Sequence, residues 1–139
     1  MKKKFQRDFS SLEQMCSFIQ SFVHRNGLNE EIRFAIELVV EELFTNMLKY
    51  CPGCMGDIEI GLSKRKNEIV LTVKDFNSQP FDPTQAADYD ATVPLSKRPT
   101  GKLGIHLIKK YMDDINCEYK NNMNKLTLTK ILRKTHVRN

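Results

Sequence analysis

Glu42, Asn46 and Lys49 follow one another at spacings of four and three residues. On a helix turning about 100° per residue that puts a carboxylate, an amide and an ammonium along one strip. The same wheel gathers Ile32, Ala35, Ile36, Val39, Val40, Leu43 and Met47 into an apolar stripe, with Glu30, Glu37 and Glu41 opposite. Asn46 falls inside that stripe, between Ala35 and Val39; Glu42 lies at its edge with Lys49 beside it. Burying such groups unpaired costs roughly 1 to 3 kcal/mol each, and more for charges, so something must satisfy them. A mutual Glu42, Asn46 and Lys49 network rimming the core would do so; so would a ligand. Asp75 repeats the anomaly. It shares the parity of Ile69, Leu71 and Val73, so a carboxylate ends the inward face of a strand, either capping the loop that follows or facing a site. Thr100-Gly101-Lys102-Leu103-Gly104 then opens a helix with two glycines. Exposed backbone N–H groups at a positive helix end can hold a phosphate, although a plain loop-to-helix turn uses the same residues.

Cys51-Pro52-Gly53-Cys54 has the C-x-x-C spacing of a redox centre or half a zinc site. Zinc needs two further ligands, and His24, His106 and His136 show no paired metal spacing. A redox C-x-x-C normally begins a helix after a strand, whereas this one ends a helix. The expected reading is a Pro-Gly turn flanked by two cysteines. Cys16 and Cys117 sit in apolar patterns as small core residues, and all four cysteines are expected as thiols.

The elements that must position these groups follow from periodicity. Phe5, Arg7 and Phe9 alternate with polar neighbours as a short strand, and Ser10 three before Glu13 is the pattern of a capping box. Leu12, Met15, Cys16, Ile19, Phe22 and Val23 keep helical spacing until Asn26-Gly27 supplies a left-handed stop. A longer helix runs from about Asn29 to Tyr50. Ile58, Ile60, Leu62 and then Ile69, Leu71, Val73 alternate on either side of a turn at Lys64 to Asn67, a β-hairpin. The stretch of about 76–101 holds four of the five prolines and no sustained period, so it is expected as a loop, of the length that often serves as a lid. Leu103, Leu107, Ile108, Tyr111 and Met112 predict a third helix; Ile115, Cys117, Tyr119 and Leu126 to Leu132 predict a closing hairpin. The expected fold class is α+β: a two-layer sandwich with three helices on one face of a mostly antiparallel sheet.

At 139 residues, 40% hydrophobic and 28% charged, the chain has the size of one domain, 1–139, with a real core. No apolar run approaches the roughly 20 residues of a membrane helix, and the start lacks the apolar block of a signal peptide, so a cytoplasmic protein without a membrane partner is expected. The net charge of +5 is spread along the chain with small clusters at its two ends. Solvated ends, not a nucleic-acid footprint, are the expected reading.

Four stretches, EELFTN, VKDFNSQPFDP, TGKLGIHLIKKYMDD and NKLTLTKIL, resemble the N box, G1 box, G2 box and terminal strand of the Bergerat-fold ATP-binding superfamily, which includes histidine kinases and Hsp90. The chain looks most like the bacterial anti-sigma factor serine/threonine kinases, over about Phe34 to Leu132. The resemblance implies ATP and Mg²⁺ as cofactors and assigns roles. Asn46 would give its amide oxygen to the Mg²⁺, a hard ion that prefers oxygen ligands. Glu42 would be the general base for a serine hydroxyl attacking the γ-phosphate. Lys49 would meet phosphate oxygens. Asp75 would accept a hydrogen bond from the adenine amino group, with Thr129 supporting it through a hydroxyl. Gly101 and Gly104 would let backbone approach the phosphates, with Thr100, Lys102 and Leu103 around them and Lys97 and Arg98 as γ-phosphate contacts. One departure stands out: the superfamily carries glycine two residues after the G1 aspartate, and this chain has Asn77, the residue next best able to adopt positive φ.

The implied activity is that of an ATP-dependent anti-sigma factor and protein-serine kinase. It would hold a sigma factor and phosphorylate an anti-anti-sigma protein of the STAS type, and the family likeness also suggests a homodimer. A histidine kinase is disfavoured for want of room for a phospho-acceptor domain. The alternative is a non-catalytic ATP-binding regulatory module that sequesters a protein partner, which the altered G1 box at Asn77 keeps open.

Overall fold

The structure is a computed structural model, which describes residues 1–50, 54–76, 108–133 and 136. Its elements in order are β1 (Lys2–Phe5), α1 (Ser11–Arg25), α2 (Glu30–Tyr50), β2 (Ile58–Arg65), β3 (Glu68–Phe76), β4 (Asp114–Lys120) and β5 (Met123–Ile131). A helical turn, 108–111, precedes β4 and is closed by the Met112 N–H donating to the Ile108 carbonyl at 2.9 Å. The strands form one five-stranded sheet in the order β1-β2-β3-β5-β4, antiparallel at every pairing. This is the expected α+β fold.

Alternation decides which face of the sheet is covered. Ile58, Ile60 and Leu62 of β2, Ile69, Leu71 and Val73 of β3, and Leu126 and Leu128 of β5 are all buried, and they share one core with the apolar stripe of α2 and with Met15, Ile19, Phe22 and Val23 of α1. Every residue assigned to the α2 stripe is buried, joined by Phe44. Burial of that face, more than intrinsic propensity, holds a helix rich in β-branched residues.

The ends of the elements show where local chemistry prevailed. Strand β1 stops at Phe5 instead of running to Phe9, because the chain turns there: the Asp8 N–H donates to the Gln6 carbonyl at 2.8 Å. The capping box does not form either. Ser10 makes no side-chain cap bond; Asp8 accepts from the Ser10 N–H at 3.0 Å, an aspartate turn at the head of α1. Gly27 has φ +63° at the predicted stop, and Asn29 accepts from the Ile32 N–H at the start of α2. Asn121 and Asn122, both at positive φ, turn β4 into β5.

Candidate functional site

A row of paired residues crosses one end of the sheet: Phe5, Ile58, Asp75, Asn124 and Tyr119. Chain connectivity brings α2 to the same end, since Tyr50 closes the helix eight residues before Ile58 opens β2. Asn46, one turn inside that helix end, is 1% exposed, and its Nδ2 has no hydrogen-bond partner. Glu42 is half-buried one turn earlier and Lys49 is exposed in the last turn. Among the described residues no hydrogen bond or ion pair joins these three side chains, so the mutual network that could have satisfied Asn46 is not made.

Asp75 is 3% exposed and points inward with Val73 and Leu71, as its parity requires. Its Oδ1 accepts from Nη2 of Arg7, which lies in the turn between β1 and α1, 68 positions away. Arg7 Nε also donates to the Gly56 carbonyl at 3.2 Å. Gly56 sits where a Cβ would overlap the Phe76 carbonyl, so glycine is needed for the 54–57 segment to lie this close to the end of β3. Burial pushes the Asp75 carboxyl above the usual carboxylate range, and the hydrogen bond and charge of Arg7 pull it part of the way back.

Thr129 is not brought to Asp75. It pairs with Val70 and Asp114, five residues along β5 from Asn124 and on the opposite face, about 17 Å from the Asp75 row at strand spacing. That end of the sheet belongs to the start of α2, where the Asn29 N–H donates to the His136 carbonyl and Phe34 meets Tyr111 edge-on. The inward polar residue beside Asp75 is Asn124, 2% exposed. Neither Arg7 nor Asn124 was singled out from sequence as a site residue. Both carried a signal: Arg7 repeats the parity of Phe5, and Asn124 that of Leu126 and Leu128. Asn77, Lys97, Arg98, Thr100, Gly101, Lys102, Leu103 and Gly104 lie outside the described residues, as do Cys51, Pro52, Gly53 and nearly all of the expected lid. Cys54 is disulfide-bonded, with its partner outside the described residues, so thiols are found at Cys16 and Cys117 and not at Cys54.

Among the described residues no helix is long and apolar enough to cross a membrane, and no group of three or more metal-ligating side chains is assembled. What the site end offers is a buried amide with an unused donor, a buried carboxylate and a buried guanidinium.

The sequence profile of the histidine kinase-like ATPase domain matches residues 5–130. The chain belongs to that family. Among solved structures it is similar to the Acinetobacter baumannii histidine kinase AdeS, with a TM-score of 0.54 and 15% identity over 96% of this chain and 68% of that one. No curated protein matches the sequence. Family and fold together make this a Bergerat-type ATPase domain, and ATP is the ligand that such a domain implies.

Proposed function

We propose that the chain is an anti-sigma factor of the protein-serine kinase type, which binds ATP with Mg²⁺ between α2 and the sheet, holds a sigma factor and phosphorylates an anti-anti-sigma protein. The observation that carries the ATP site is Asn46, a buried amide left without a hydrogen-bond partner in a family whose ligand is ATP. The rest is supported by the likeness of EELFTN and TGKLGIHLIKKYMDD to the anti-sigma kinases.

Asn46 fits a hard cation, because its side chain is held inside the domain and can present its carbonyl oxygen. The Mg²⁺ would neutralise charge on the triphosphate. Asp75 accepts the adenine amino hydrogen and Lys49 approaches the phosphates from the exposed end of α2; Gly101 and Gly104, outside the described residues, are assigned to the phosphates by the family likeness alone. Glu42, half-buried next to Asn46 on the helix, accepts the proton of the attacking serine hydroxyl as its oxygen bonds to the γ-phosphorus and ADP leaves.

A non-catalytic ATP-binding module is the second reading, favoured by Asn77 where the superfamily has glycine. The two separate in one experiment. Calorimetry with Mg·ATP is compared with transfer of labelled phosphate to a STAS-type antagonist, for the parent and for Glu42→Ala. A catalytic chain loses transfer in Glu42→Ala and keeps ATP binding. A parent that binds ATP and transfers nothing is the sequestering module, and a Glu42→Ala variant that transfers normally removes Glu42 as the base.

A further inference from the structure

Two polar side-chain atoms among the described residues are buried without a hydrogen-bond partner: Asn46 Nδ2 and Arg7 Nη1. In the nucleotide reading Asn46 Oδ1 would face the Mg²⁺ and a phosphate oxygen would accept from the first; the second has no such acceptor. The Arg7 side chain is 7% exposed. Its Nε and Nη2 are both engaged, by the Gly56 carbonyl and Asp75 Oδ1, and they share one edge of the planar guanidinium. Nη1 is the corner left over. A guanidinium does not deprotonate, so a dry N–H on a cation cannot be relieved by losing its proton, and leaving it unpaired costs more than leaving a neutral donor unpaired. An acceptor supplied by a ligand at this place would be worth correspondingly more.

The ion pair also fixes what stands next to that donor. Asp75 is an acceptor whose neighbour is now the Arg7 guanidinium, a donor. Acceptor beside donor is the complement of the adenine Watson–Crick edge, where the exocyclic N6 amino group donates and the adjoining ring N1 accepts. Guanine presents the reverse at the same two places, an O6 acceptor and an N1–H donor. A carboxylate facing O6 and a guanidinium facing N1–H would set acceptor against acceptor and donor against donor, which is how a buried polar site rejects the wrong ligand.

We propose that Arg7 Nη1 donates to N1 of adenine, making Arg7 a specificity-determining residue beside Asp75. This rests on the reading of Asp75 as the contact of the adenine amino group. It also gives the segment between β1 and α1 a part in the nucleotide site, although Arg7 lies 35 positions ahead of Glu42.

The test uses the parent chain and a ligand lacking one atom. Calorimetry with Mg²⁺ compares ATP with 1-deaza-ATP, which keeps the amino group and triphosphate but has C–H in place of N1. The expected result is that ATP binds and that 1-deaza-ATP binds at least about tenfold more weakly, the loss of one charge-assisted hydrogen bond. Equal affinities for the two overturn the Arg7 assignment and leave the ATP site standing, whereas no binding of ATP overturns both. Arg7→Met, folded by circular dichroism, should then bind the two nucleotides with the same affinity. If it keeps the parent's preference for ATP, N1 is read by another group and the assignment falls.

Discussion

Asn46 is held in the core at a cost, since a buried amide hydrogen without a partner forfeits roughly 1 to 3 kcal/mol. Asn46→Leu, close to isosteric, removes that orphan. In nucleotide-free urea unfolding it should be more stable than the parent by about 1 kcal/mol while losing Mg·ATP binding in calorimetry. A variant that is less stable, or that binds normally, would take Asn46 out of the site. Asp75 gives a prediction in pH. Its carboxyl is raised in the folded chain, so between the ordinary carboxylate value and the raised one the folded chain carries more proton there than the unfolded chain. Its contribution to stability is therefore full below the ordinary value and is lost as pH rises through the folded one. The unfolding free energy of the parent minus that of Asp75→Asn should fall as pH rises above the ordinary carboxylate value of about 4; a flat or rising difference would mean that the carboxyl is not raised. Both residues were legible in the sequence, because each is polar at a position that long apolar alternation assigns to the core. Asn124 was legible by the same rule, from its parity with Leu126 and Leu128, although it was not singled out; Arg7 was not. Strand β1 ends two residues before Arg7, so parity alone could not place it, and its partner is 68 positions distant.

The elements were legible where one face is apolar over several turns or strand pairs. Helices α1 and α2 and the β2–β3 hairpin follow their patterns almost to the residue. Cap and turn chemistry was less so: Ser10 and Asp8 offer equivalent oxygens to the same helix end, and only geometry selects Asp8. Thr129 shows the limit of aligning by motif alone, since a terminal strand places its residues by register and its site end is at Asn124. The segment joining α2 to β2 is the element whose shape the site depends on. It supplies the Gly56 carbonyl to Arg7 and lies against the backbone of Phe76. Gly56→Ala places a methyl group against that backbone, which cannot yield as a side-chain tip can. It should cost about 2 kcal/mol in urea unfolding and weaken ATP binding by disturbing Arg7 and Asp75 together. A variant with parental stability and affinity would show that the segment can shift without consequence.

At the scale of the whole molecule, the two unpartnered donors among the described residues and the buried carboxylate are the groups that the proposed nucleotide would engage. The ligand binds the folded state, and the unfolded chain has no assembled pocket, so binding is added directly to stability. At a free concentration about 100 times the dissociation constant, Mg·ATP should add about 2.7 kcal/mol. For a chain of 139 residues that is a rise in Tm on the order of 10 °C. Scanning calorimetry of the parent with and without Mg·ATP measures it, and the comparison with Mg·GTP carries the specificity. The reversed donor and acceptor of guanine should leave Tm nearly where it was. Asp75→Asn should show little shift with either nucleotide, because the amide cannot take the carboxylate's place against both Arg7 and the adenine amino group. Equal shifts with ATP and GTP in the parent would mean that the triphosphate alone is recognised, and the pairing of Arg7 with Asp75 would then serve the fold and not the base.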